Sequence, residues 1–264
     1  MRMARRMGIY SQGSFKLPVF TGSYAIFGDA RKGYIELYSS GTLTLAEYEY
    51  DLHAVGGGTS GRAGTIQPTQ GGSTHYLSAG GGSGYTNTTL SKSVAAGSYA
   101  VIIGSGGVGA FNTGDGTMYP ANAGGATQIT LPDVTLSALG GKITNNSATA
   151  VQSQGTDGGS GGGAGAGNGT KAGNGGSDGS NGENGNNNSA NANWRGGIGQ
   201  GATTRDFGEP TGTLRAGGGG GQGNSEANKG LGGDGGGGYG KAGTAAASSG
   251  ANNTGSGEIG RAHV

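Results

Sequence analysis

The sequence predicts an all-β protein: a small β-sandwich-like module with glycine-rich loops, followed by packed polyglycine II helices, with essentially no α-helix. Three observations carry that expectation. Glycine supplies 68 of the 264 residues, with only 5 prolines and no strict G-X-Y period, so the chain is not collagen. Short β-branched and aromatic runs alternate apolar with polar residues between turn-forming clusters in the first half. No segment with a helical apolar period is both long enough for a helix and free of glycine.

Glycine density rises along the chain in three regimes, which divide it into an N-terminal β module (1–55), a glycine-interrupted β-sandwich region (56–150) and a polyglycine II-rich domain (151–257). In the first, "SYAIF" and "YIELYSS" read as strands joined by GDARKG, whose Gly28 and Gly33 suit a hairpin loop. "TLTLAEYEYDLHAV" alternates in two phases: Leu43 and Leu45 share one side, then Tyr48, Tyr50, Leu52 and Ala54 continue on even positions. That slip near Ala46 predicts a bulge, or a strand crossing from one sheet to another.

In the middle regime, "TNTTLSKSV" and "SYAVII" flank AAG, and "TQITL" and "VTLSAL" flank PD, so two hairpins are expected. Leu90 and Val94 on one arm, with Tyr99, Val101 and Ile103 on the other, suit one covered face of a sandwich. The third regime holds few large apolar side chains between Gly155 and Gly257: Trp194, Ile198, Phe207, Leu214, Leu231 and Tyr239. Ordering glycine costs more backbone entropy than ordering any other residue, and glycine offers almost no apolar area in return. A left-handed threefold helix offers a second route to order. Its N–H and C=O groups point outward, and without side chains neighbouring helices approach closely enough to pair them. Runs such as GGSGGGAGAGNG and GGDGGGGYG suit such packing, joined by asparagine- and serine-rich turns.

Composition excludes several classes. Hydrophobic residues make up 31% and charged residues 12%, with a formal net charge of +1, so no field favours nucleic acid or an anionic membrane. There is no cysteine, hence no disulfide or thiolate metal site. The start, MRMARRMGIYSQGSF, is basic but lacks the apolar run of a signal peptide, and no stretch approaches a membrane span, so neither export by that route nor membrane insertion is expected. The end, EIGRAHV, breaks the local composition and resembles the translation of a short-read sequencing adapter. Residues 258–264 are therefore expected to be an artefact closing a metagenomic fragment, and His263 carries no weight.

"SYAVIIGSGGVG" ends in Gly104, Gly106 and Gly109, the spacing of a dinucleotide-binding turn. A strand feeds it but no helix leaves it, and in so glycine-rich a chain the spacing recurs by chance, so no nucleotide cofactor is expected. His53 and His75 fall on a strand and in a turn, no serine sits in a nucleophile-elbow context and no metal-ligand spacing exists, so neither catalysis nor a metal is expected. Arg195-Gly196-Gly197 is a single RGG, whereas RNA-binding segments of that class repeat it. Aromatics stranded among glycines make the better candidates. Met118 and Tyr119 in one loop, Trp194 with Arg195, and Tyr239 offer flat faces for sugar rings or receptor side chains, with asparagines nearby as paired donors and acceptors. The simpler reading is that Trp194 and Tyr239 plug apolar gaps.

Four phrases in order, "YIELYSSGTLTL…DLHAVGGG", "GSGYTNTTLSKSVAAGSYAVIIGSGG", "GGATQITLPDVTLSALGGK" and "GQGATTRDFGEPTGTLRAGGGGG", resemble the glycine-rich domain of phage and prophage tail-fibre proteins of gut bacteria, especially Firmicutes. That family is similar in design to fibre-tip adhesins in which packed polyglycine II helices display variable loops. The first glycine cluster, GGGTSGRAG, is shorter than the family pattern, and the terminal glycine block is interrupted. The resemblance implies a non-enzymatic fibre component, made in the bacterial cytoplasm and carried on the virion tail. Its partners would be a bacterial cell-surface receptor, glycan or outer protein, and other fibre subunits. Met118, Tyr119, Trp194, Arg195 and Tyr239 are the candidate receptor-binding residues, and Thr204 to Phe207 read as a scaffold turn. The alternative is a purely structural glycine-rich bacterial surface protein with no ligand of its own.

Overall fold

Alternation along the strands decides which side chains meet. The computed structural model describes residues 2–6, 18–28, 32–68, 74–108, 111–112, 121–143, 154–165, 182–188, 193–195, 197–198, 207, 211, 213–240, 248, 250–251, 255 and 261–262. The strands are β1 (Arg2–Arg6), β2 (Val19–Phe20), β3 (Tyr24–Gly28), β4 (Lys32–Leu37), β5 (Gly41–Leu45), β6 (Tyr48–Val55), β7 (Arg62–Pro68), β8 (Thr74–Ala79), β9 (Thr86–Val94), β10 (Gly97–Ile102), β11 (Phe111–Asn112), β12 (Thr127–Thr130), β13 (Thr135–Ala138), β14 (Asn186–Asn188), β15 (Asn193–Arg195) and β16 (Arg261–Ala262). Among the described residues helical structure is confined to 3-10 turns, at Glu226–Asn228 and at Phe207. The protein is all-β.

Two five-stranded antiparallel sheets, ordered β3-β4-β1-β6-β9 and β13-β12-β10-β5-β2, face each other. Ile35, Leu37, Tyr50, Leu52, Ala54 and Val94 from the first close on Phe20, Leu43, Leu45, Tyr99, Val101, Ile129, Leu136 and Ala138 from the second. This is a sandwich core with one inward side chain per two residues. The expected β3–β4 and β12–β13 hairpins are present.

The phase slip at Ala46 is a crossing between sheets: β5 belongs to one and β6 to the other. The second predicted hairpin is corrected in the same way. β9 pairs with β6 and β10 with β5 and β12, so Ala95–Ala96 also carries the chain across the sandwich. An arch and a hairpin share the same alternation and a short connection, and the partner strands decide between them. Each arch has the same lock, since Tyr50 Oη donates to Ala46 O at 3.1 Å and Tyr99 Oη to Ala95 O at 2.7 Å. Leu90 is exposed, not part of the covered face, and Ile103 packs against the core's edge. A register shift between Tyr50 and Leu52 sets Ser91 at φ 53, with its N–H donating to Asp51 Oδ1 at 2.8 Å. His75, read as part of a turn, falls in β8.

At one end of the sandwich, β6, β9, β10, β12 and β13 run directly into glycine-rich segments that belong to no strand: 56–60, 80–85, 103–107, 121–126 and 139–142. Their hydrogen bonds advance in steps of three residues. Gly56 N donates to Tyr85 O at 2.9 Å and Thr59 N to Gly82 O at 2.8 Å; Gly57 N donates to Gly125 O at 2.9 Å and Ser60 N to Asn122 O at 3.1 Å. A β-ladder repeats every two residues, so a step of three with successive donors aimed at different neighbours is the signature of a threefold extended helix. The step recurs in the third regime. Gly219 N and Gln222 N reach Gly81 O and Ser78 O at 2.8 and 3.0 Å, and Gly230 N and Gly233 N reach Gly221 O and Gly218 O at 2.9 and 2.8 Å. The packed polyglycine II lattice therefore spans both sides of residue 150.

Close approach explains the glycine. A Cβ on Gly124 would lie well inside 3.0 Å of Gly57 O, and one on Gly221 well inside 3.0 Å of Ala164 O. Several of the side chains that enter the lattice are small and hydroxylic. Thr59, Ser60, Ser83, Thr156 and Ser160 are fully buried. Gly82 N donates to Thr156 Oγ1 at 2.7 Å, Asn122 N to Ser60 Oγ at 2.8 Å and Ser160 N to Ser83 Oγ at 2.8 Å, so these hydroxyls accept from the main chain.

Candidate functional site

The antiparallel register gives the lattice two distinguishable ends. Segment 56–60 leaves the sandwich, 80–85 returns to it, and 216–223 starts beside it, where Arg215 Nη2 meets Glu36 Oε1 of β4. Gln222 then bonds Ser78, on the side remote from the sandwich. That remote end carries the β7–β8 hairpin, the β14–β15 hairpin and the turn 224–228.

One corner of this end unites two of the sequence candidates. Arg195 of β15 is followed by Gly197, whose carbonyl accepts from Gly221 N at 2.8 Å. Gly230 packs so closely on that carbonyl that a Cβ would overlap it, and Gly230 O accepts from Gly240 N at 2.7 Å. Trp194 with Arg195, Lys229 and Tyr239 thus sit on adjoining segments, with β15 also against the Glu226–Asn228 turn. In register, Asn187 opposes Trp194 and Asn186 opposes Arg195.

Tyr239 is exposed, and Lys229 Nζ lies 4.3 Å from its ring centroid, a cation–π contact. The same ammonium pairs with Glu226 Oε2 at 2.5 Å, and Asn228 Nδ2 donates to Asn224 Oδ1 at 2.7 Å. Tyr239 therefore does not plug an apolar gap. Lys229, Glu226, Asn224 and Asn228 were not singled out from the sequence, because a lysine ten residues from a tyrosine in a glycine run carries no local signal. Met118 and Tyr119 lie outside the described residues, as do Thr204, Arg205 and Asp206.

The remaining polar groups sit in structural surroundings. His53 is fully buried on β6, with Nδ1 2.7 Å from Thr88 Oγ1 and its ring 5.5 Å from that of Phe207. Phe207, at φ 57, covers the outer face of that sheet together with Arg215. Burial pushes the Arg62 guanidinium down from its ordinary pKa, and the Asp157 carboxylate opposes that shift. The hydrogen bond from the Lys92 ammonium holds the exposed Asp133 carboxyl below the usual carboxylate range. Among the described residues no group of three or more His, Asp or Glu side chains is arranged to hold a metal ion.

A family model described as a glycine-rich domain matches residues 39–263. Comparison with curated proteins and with solved structures returns no match.

Proposed function

The chain belongs to the glycine-rich domain family, and from that premise we propose that it is a non-enzymatic component of a phage or prophage tail fibre, an adhesin that binds a bacterial surface receptor through loops on a glycine scaffold. The observation that carries this reading is a division of labour. The lattice is held largely by main-chain hydrogen bonds between glycine-rich segments, while hairpins and turns with asparagine, aromatic and charged residues gather at its end remote from the sandwich. Such a scaffold fixes the positions of its connections without constraining their sequences, which is what receptor discrimination demands. The order of strand and glycine phrases typical of tail-fibre domains supports the same reading.

Exchange of residues 186–195 and of residues 117–121 for unrelated sequences of equal length tests it. The expected result is a changed set of bacterial strains labelled by the fluorescent protein, with the melting temperature preserved. Labelling that ignores both exchanges would favour a structural glycine-rich surface protein with no ligand of its own.

A further inference from the structure

We infer that the corner built from the turn 224–229 and Tyr239 is a carbohydrate-binding site, an inference that rests on the adhesin reading and names its ligand class. Tyr239 presents an exposed ring on a main chain fixed through Gly240 N to Gly230 O, 2.7 Å. Lys229 Nζ, 4.3 Å from the ring centroid, makes a cation–π contact that favours this orientation of the ring. The apolar C–H face of a pyranose stacks on such a ring, and its hydroxyls need donors and acceptors at the rim.

Those groups are present at the same corner. The Asn224–Asn228 amide pair and the Lys229–Glu226 ion pair lie on the turn beside the ring. The main chain of β15 lies against the same turn. Amides offer a donor and an acceptor on one plane, matching neighbouring hydroxyls of a sugar. A protein partner would instead favour a desolvated apolar pocket for its anchoring side chains. The ring's neighbour here is a lysine paired with an acid, on a turn that also carries an amide pair, which argues for the glycan.

The test uses the full chain, fluorescently labelled, on a panel of bacterial strains. Cells are left untreated, oxidised with periodate to cleave vicinal diols, or shaved with protease, and polysaccharide isolated from the walls of labelled strains serves as competitor. Labelling is expected to be lost after periodate, to survive protease and to be competed by the polysaccharide. Tyr239→Ala is expected to weaken it about tenfold, the worth of one aromatic contact, while Tyr239→Phe retains it. Melting temperature should hold in both variants, because the ring is exposed.

Labelling that survives periodate but not protease would overturn the glycan and leave the adhesin reading standing. Periodate-sensitive labelling indifferent to Tyr239→Ala would overturn this corner as the site. Labelling of no strain would overturn the adhesin reading and this inference with it.

Discussion

Arg215 Nη2 lies 2.6 Å from Glu36 Oε1, joining residues 179 positions apart, with side chains only 13% and 10% exposed. The other carboxylate oxygen accepts from Tyr38 Oη at 2.8 Å. This pair ties the third glycine regime to the sandwich, immediately before segment 216–223 enters the lattice.

Removing one member of a nearly buried pair leaves the other charge uncompensated, so Arg215→Met should cost about 3 kcal/mol. For a chain of this size that lowers the melting temperature by roughly 6–12 °C. Adding Glu36→Leu should restore much of the loss, because the stranded charge is then gone. Calorimetry on the two single variants and the double variant checks the cycle, and additive losses would show that the two residues do not act as a pair.

Two glycines in neighbouring segments should respond in opposite ways to the same substitution. Gly124→Ala drives a methyl into Gly57 O and should cost about 3 kcal/mol, at the upper end of overpacking, since neither backbone has room to move. At Gly106 the nearest atom to an added Cβ is Gly58 O at 3.9 Å. Gly106→Ala should therefore be neutral or stabilising by about 0.5 kcal/mol, through a less flexible unfolded chain. Equal effects in chemical denaturation would contradict the lattice register.

The two sheet-crossing arches should depend on their tyrosine hydroxyls. Tyr50→Phe and Tyr99→Phe each remove one hydrogen bond while keeping the ring, at a cost of about 1 kcal/mol apiece. Urea midpoints measure this. Were β9 and β10 a hairpin, Tyr99→Phe would have no arch to loosen and would leave the midpoint unchanged.

The strands were legible because burial on one face writes a period of two: Leu43 and Leu45, Tyr50 to Ala54, and Tyr99 and Val101 all declare their inward sides. The partners of those strands were not. Val94, Ala95, Ala96 and Gly97 fit a hairpin or an arch equally well, and only the pairing of β9 with β6 and of β10 with β5 decides. The run GGDGGGGYG suggests a close-packed helix, yet it turns at Asp234–Gly236, with Gly235 and Gly236 at φ 91 and 100, and glycine has no side chain to state which run neighbours which. The contact of Gly57 with Gly125 and Ser105, or of Gly221 with Gly197, is therefore silent in the sequence. At the remote corner the candidates Trp194, Arg195 and Tyr239 were legible as residues out of keeping with their surroundings. Lys229 and Glu226 were not, because their significance comes from Gly230 lying between Gly197 and Gly240.

The three-residue step of the hydrogen bonds has a consequence for how such a chain can change length. A segment in the lattice has a phase: Gly56 and Thr59 address one neighbour, Gly57 and Ser60 another. Inserting one or two residues rotates every later donor onto the wrong neighbour and turns side chains such as Thr59 toward a backbone that has no room for them. Inserting three returns each donor to its original heading, one turn further along. Outside the segments no such quantum applies, since each doubling of a flexible connection costs only about 0.6 kcal/mol. The scaffold is thus quantised in triplets while its connections can take any length, and gain or loss of whole triplets would lengthen or shorten the lattice without altering the connections at its ends.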